Sequence, residues 1–255
     1  MMEWSLKSDK EIETMREGGR LLASVLEALR KETKVGVETM WLDTVSKKLI
    51  HEGGAQPAFL GYLPAGGKRP YPFTLCVSVN DCVVHGIPSD YAIRNGDLVK
   101  LDLGLKYKGW FVDSAITVGI GVIDARSKRL METTKTALRL GIEEAQTGRT
   151  LGDIGAAVEE AVRHGGFTIV RSLTGHGIGR ELHEEPTVLN FGKRGEGRVL
   201  KPGTVLAIEP MTAMGSGTVK QFEDDSYRTS DGSLAAHFEH TVAITSEGPM
   251  ILTSL

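Results

Sequence analysis

Cysteine is scarce in this chain, and so are aromatic residues: two cysteines and 6% aromatics in 255 residues. Cys76 and Cys82 are too few for a disulfide framework. A reduced pair fits a reducing compartment. No stretch approaches the roughly 20 apolar residues that would span a bilayer. The start, Met1-Met2-Glu3-Trp4-Ser5, turns strongly charged and has no apolar segment of the signal-peptide kind. A cytoplasmic location without membrane association is therefore expected. Lys and Arg dominate no segment and the net charge is -3. Nothing in that balance gives an electrostatic reason to expect nucleic acid.

What is present is an ordinary soluble composition, 40% hydrophobic and 25% charged, with enough length for a substantial core. Ser8 and Glu11 make a capping box for a first helix, with Ile12, Met15, Leu21, Leu22, Val25 and Leu29 at near-helical spacing. A second helix is predicted over Thr39 to Glu52, ending at Gly53-Gly54. Gly61, Pro64, Gly66, Gly67, Pro70 and Pro72 then mark a loop. Strands are predicted over Thr74 to Val84 with a break at Asn80-Asp81, over Leu98 to Leu105, and over Trp110 to Ile120. Asp124 and Thr150 cap two more helices, the second ended by Gly165-Gly166. Strands return over Thr168 to Leu173, Val205 to Ile208 and Ala236 to Ile244.

Each half thus reads helix, helix, strands, which is an α+β pattern. The halves also share local sequence. His85-Gly86-Ile87 matches His176-Gly177-Ile178, Gly96 precedes Asp102 as Gly203 precedes Glu209, and Asp113 and Glu239 follow as second carboxylates. Duplicated halves related by a pseudo-two-fold axis, roughly 1–122 and 123–255 of a single catalytic domain, are expected.

The chemistry-bearing feature is a set of carboxylates inside apolar strands: Asp102, Asp113, Glu209 and Glu239. Any one of them could cap a turn or pair with a cation. Four buried together are costly without bound positive charge. Four carboxylates and an imidazole suit two hard or borderline divalent ions, namely cobalt, manganese, iron or zinc. His176 is flanked by Gly175 and Gly177, which lets backbone come close to a metal or substrate. His183 follows in Leu182-His183-Glu184-Glu185-Pro186. Other motifs fail. Thr187 stands where a zincin would need its second histidine, the Gly61 to Lys68 run misplaces a P-loop lysine, and no serine sits in a nucleophile elbow. The two cysteines read as small core residues.

At this point the residues resemble a known family, the type I methionine aminopeptidases of the pita-bread fold. The resemblance covers nearly the whole chain. It runs through Ile12 to Arg20, Val77 to Asp81, Val84-His85-Gly86-Ile87-Pro88, the Asp102 and Asp113 pair, Gly175 to Arg180, His183 to Pro186, Ile208 to Met211, and Glu239-His240-Thr241. It implies a curved central antiparallel sheet and metal-dependent release of N-terminal methionine. Asp113 and Glu239 would bridge two metals, His176 and Glu209 would complete one shell, and Asp102 would chelate the other ion. A water acidified by the metals is the implied nucleophile, with Glu209 as general base. His183 is implied at the scissile carbonyl and His85 at the scissile nitrogen.

The implied partner is the N-terminus of a peptide or nascent chain. Ribosome contact is a family expectation without a basic tail to support it, and a monomer is expected. The chain departs from the family in the long Leu63 to Thr74 connection, in Leu182 where an aromatic is usual, and in having no tryptophan after Trp110. The first-residue pocket is then expected to be shaped by Phe59, Tyr62, Cys76 and Leu182. Two rivals stand beside this reading. One is an aminopeptidase or dipeptidase of the same fold with another specificity, such as cleavage before proline. Such relatives usually carry an additional N-terminal domain, and only 84 residues precede His85. The other is a non-catalytic binding protein, which would be expected to have lost ligands.

Overall fold

The computed structural model describes residues 4–63 and 69–255. The Pro64, Gly66 and Gly67 signals of the predicted loop lie outside the described residues. In chain order the elements are α1 (Asp9–Glu32), α2 (Thr39–Glu52), β1 (Gln56–Pro57), β2 (Cys76–Val79), β3 (Cys82–Val84), β4 (Leu98–Tyr107) and β5 (Trp110–Gly119). The second half begins with α3 (Ala125–Glu144) and α4 (Leu151–His164). It continues with β6 (Thr168–Ile169), β7 (Gly175–Gly177), β8 (Glu184–Val188), β9 (Val205–Ile208), β10 (Met211–Ala213), β11 (Val219–Gln221) and β12 (Tyr227–Thr229). It closes with β13 (Ala235–His237), β14 (Glu239–Thr245) and β15 (Gly248–Ile251).

Three of the four helices, α1, α3 and α4, begin where the capping residues predict, while α2 starts at Thr39 as predicted but without a side-chain cap from Glu38. Glu11 accepts from both the backbone N–H and the hydroxyl of Ser8, each at 2.9 Å. Asp124 accepts from the N–H groups of Arg126 and Ser127 at the start of α3, and Thr150 and Asp153 close a capping box on α4. Each such cap satisfies orphan donors and is worth about 1 kcal/mol.

A nine-stranded antiparallel sheet runs in the order β1-β4-β5-β14-β9-β7-β8, with β2 added beside β4 and β15 beside β14. Two small sheets, β13-β10-β6 and β11-β12-β3, flank it. The helices cover one face of the large sheet. Ile12, Met15, Leu22 and Leu29 of α1 pack with Leu101, Leu103, Leu105 and Val112. Leu138, Ile142 and Ile154 of the second helix pair pack with Leu206, Ile208, Val242 and Ile244. Burying each such side chain contributes roughly 1.5–3 kcal/mol. Close approach is needed at Gly19, where a Cβ would collide with the Leu252 carbonyl. Because side chains alternate along a strand, loading the odd-numbered leucines of β4 onto the helix side turns Asp102 to the other face.

Two strand predictions need correction. Thr168 to Leu173 is strand only at Thr168–Ile169. Ala236 to Ile244 is not continuous: β13 pairs with β10 in a small sheet, while β14 pairs with β5 and β9 in the large one. The chain changes sheets at Phe238, a break that hydrophobicity alone does not signal.

Candidate metal centre

Strand register assembles the carboxylates. Asp102 on β4 stands opposite Ala115 on β5, and Ala115 stands opposite Glu239 on β14. Asp113 lies two residues before Ala115 and so on the same face. Across β14, Thr241 stands opposite Ala207, and Ala207 stands opposite His176 on β7. Glu239 and Glu209 are each two residues from that row and share its face. Five adjacent strands, in the order β4-β5-β14-β9-β7, therefore each direct one of the five predicted ligands to the face the helices leave open, Glu209 from just past the end of β9.

The backbone behind them is tightly held. The Thr241 hydroxyl accepts from the Asp113 N–H at 2.9 Å and donates to the Asp113 carbonyl at 2.8 Å. The Ser114 hydroxyl donates to the Glu239 carbonyl at 2.7 Å. The carboxylates themselves are poorly satisfied. Asp113 accepts one backbone N–H, from Ser114, and Glu239 Oε1 is buried with no hydrogen-bond partner among the described residues. Asp113 and Glu239 are buried, whereas Asp102 and Glu209 are half-buried at the cavity floor.

Electrostatics follow from this crowding. Burial pushes the Asp113 carboxyl up to about 7. Asp102, Glu209 and Glu239 lie well above the ordinary carboxylate range, through burial first and then through the negative charge of neighbouring carboxylates, Asp113 among them in every case. Among the described residues no lysine or arginine comes within ion-pair distance of the four; only imidazoles do. The His176 Nδ1 is 2.8 Å from the Gly177 carbonyl oxygen. A carbonyl can only accept, so Nδ1 carries the proton and Nε2 keeps its lone pair, 3.6 Å from Glu209 Oε1. Burial lowers His176 to about 4, so the ring is neutral and fit to ligate. Ligand atoms of Asp113, His176 and Glu239 lie within 4.8 Å of one another, as do those of Glu209, His237 and Glu239. An acid-rich donor set with imidazole, one orphaned oxygen and no competing cation fits divalent metal.

The five candidate ligands floor a cavity of about 600 Å³. Its lining includes every residue singled out in the sequence: the five ligands, His85, His183, Phe59, Tyr62, Cys76 and Leu182. His85 has φ +58° and a ring exposed into the cavity. Gly86 lets that turn sit against β2, where a Cβ would meet Val77 and Ser78. The His183 ring lies 4.3 Å from that of His176 between centroids, and its Nδ1 is 2.6 Å from the Tyr62 hydroxyl. The turn carrying Leu182 and His183 is pinned by Glu184, whose carboxylate accepts from the Arg180 and Glu181 N–H groups and from buried Lys7 at 2.6 Å.

Sequence reasoning passed over His237, which stands behind Glu209 and Glu239 rather than on the cavity wall. Its position two residues before Glu239 was the available signal. It also passed over Tyr71, Met211 and Tyr227, which add to the lining.

Comparison with known proteins shows the family. Residues 13–246 match the model of metallopeptidase family M24, and the chain belongs to that family. Within it, the chain is 44% identical over 260 residues to the methionine aminopeptidase of Aquifex aeolicus, covering 100% of both chains. It is similar to the crystal structure of methionine aminopeptidase from Thermotoga maritima, with a TM-score of 0.95, 39% identity, and 99% and 100% of the two chains covered. The prolidase of Pyrococcus furiosus shares the fold at a TM-score of 0.77 and 24% identity, but this chain covers only 65% of it.

Proposed function

We propose that this chain is a methionine aminopeptidase, hydrolysing the first peptide bond of peptides and new polypeptides to release N-terminal methionine with two divalent metal ions. The observation that carries the reading is the convergence of four carboxylates and His176 from five adjacent strands at the floor of one cavity. Full-length relatives with that name support the substrate.

Asp113 and Glu239, on adjacent inner strands, would hold both ions, His176 and Glu209 would complete one shell, and Asp102 would serve the other. When bound, the ions supply positive charge that lowers the pKa of water and polarises the scissile carbonyl. Glu209, at the cavity side of the cluster, takes the proton of the attacking water. His183 donates to the carbonyl oxygen as charge develops there. The Tyr62 hydroxyl holds the His183 ring from its Nδ1 side and leaves Nε2 for the substrate. His85 faces the leaving nitrogen.

Phe59, Cys76 and Leu182 are buried, and Tyr62 is half-buried, around the same cavity. They offer an apolar, sulfur-tolerant wall for an unbranched thioether side chain. The free α-amino group binds beside Asp102, which ties cleavage to chain termini.

The test is to incubate purified protein, loaded with each metal in turn, with Met-Ala-Ser and Ala-Pro-Ala. Free methionine from the first peptide alone is expected. Cleavage of the second alone would move the assignment to the proline-directed rival. No turnover of either with any metal would overturn the hydrolase reading.

A further inference from the structure

His237 is 1% exposed, and neither of its ring nitrogens has a hydrogen-bond partner among the described residues. A buried polar group without a partner costs roughly 1–3 kcal/mol, so an imidazole with two such atoms calls for an explanation. The ring is not free to turn away. Its backbone is clamped by Thr117, whose hydroxyl donates to the His237 carbonyl at 2.6 Å and accepts from its N–H at 3.0 Å. Pairing with Met211 on β10 fixes the other edge.

Nε2 of His237 comes 3.3 Å from Glu209 Oε2, while Nε2 of His176 comes 3.6 Å from Glu209 Oε1. The two imidazoles thus flank one carboxylate from opposite oxygens. Glu239, whose Oε1 is the other unpartnered atom of the cluster, offers a carboxylate oxygen that lies with ligand atoms of His237 and Glu209 in a set all within 4.8 Å of one another. Two buried side chains with unpartnered atoms, His237 and Glu239, converging with the half-buried Glu209 carboxylate at that spacing, have the composition of a metal shell.

We propose that His237 is a sixth metal ligand, which with Glu209 and Glu239 gives the centre a second imidazole. This rests on the metallopeptidase reading above and extends it. The consequence is chemical. Oxygen-rich shells suit manganese, whereas a second imidazole beside that of His176 favours cobalt and zinc. His237 therefore tilts the centre toward nitrogen-preferring ions.

The test begins with unsubstituted protein, stripped of metal and reloaded with two equivalents of cobalt(II). X-ray absorption at the cobalt edge is expected to report two imidazoles per cobalt pair. A single imidazole overturns the proposal. His237→Gln, which keeps polarity and approximate size, is then titrated calorimetrically with cobalt(II) and with manganese(II). One cobalt site is expected to weaken at least about tenfold, with a smaller loss for manganese and an altered cobalt visible spectrum. Unchanged cobalt affinity and spectrum would overturn the proposal, even if turnover fell. His237→Asn provides a second variant, and circular dichroism of each metal-free variant identifies which of them is folded for the titration. Failure of unsubstituted protein to bind any divalent metal would instead sink the metallopeptidase reading itself.

Discussion

Asp113→Asn separates what the carboxylate cluster costs the fold from what it gives the site. In metal-free protein Asp113 must either hold a proton that it would lose in solution or ionise among three other crowded carboxyl groups. Its value of about 7, against 3.8 for an ordinary aspartate, measures that cost. At about 1.36 kcal/mol per pH unit the difference amounts to roughly 4 kcal/mol near pH 8. Asparagine keeps the shape and can still accept from the Ser114 N–H, yet carries no charge. Metal-free Asp113→Asn should therefore be more stable than metal-free parent protein, by up to that amount. For a chain of this size the gain corresponds to an increase on the order of 10 °C in Tm. Metal reverses the order. An ion at about a hundred times its Kd stabilises the parent by roughly 2.7 kcal/mol, and the variant should lose most of this along with turnover. Differential scanning calorimetry in chelator and in excess cobalt(II) reads both arms. If metal-free Asp113→Asn melts at or below the parent, crowding of negative charge is not what the site imposes on the fold.

Three further outcomes are expected. Metal-free Tm should fall as pH rises from about 6.5 through about 7. Asp113 is raised in the folded state, so its contribution is complete below pH 3.8 and is lost towards about 7. His176 and His237 are lowered to about 4 and about 3, so they favour folding increasingly up to about pH 6.5 and add no slope beyond it. Metal-saturated protein should lack that decline, and a melting series with and without chelator checks it. His183→Ala should lower kcat by about 10²–10³-fold with metal content unchanged; metal analysis beside kinetics decides, and indifferent activity would remove the oxyanion role. Glu184→Ala should strand the buried Lys7 ammonium, at 3% side-chain exposure, and cost about 3–5 kcal/mol in chemical denaturation. A change within experimental error would mean that the ion pair does not pin the Leu182–His183 turn.

Much of this was legible along the chain because it rests on local rules. Ser8, Asp124 and Thr150 mark helix starts by satisfying the nearest N–H groups, and Gly53 and Gly165 mark ends. The long strands bearing Asp102 and Asp113 stand out by β-propensity and apolar runs. A carboxylate inside such a run is anomalous wherever it occurs, so the ligands themselves were visible one by one. The short strands β7, β8, β10 and β13 were not. Three to five residues carry too little pattern, and their pairing is decided by partners far away in sequence.

By itself, then, the sequence indicated the four helices and the long strands, the five candidate acidic and imidazole ligands, and the family to which they point. Only the tertiary structure decided that those ligands share one face, because a one-residue slip in any register would turn a carboxylate into the helix-packed core. It also decided what stands behind them. The switch of sheets at Phe238 brings His237 against Glu209, a contact made by strand pairing across more than the local chain, which no spacing rule foretells.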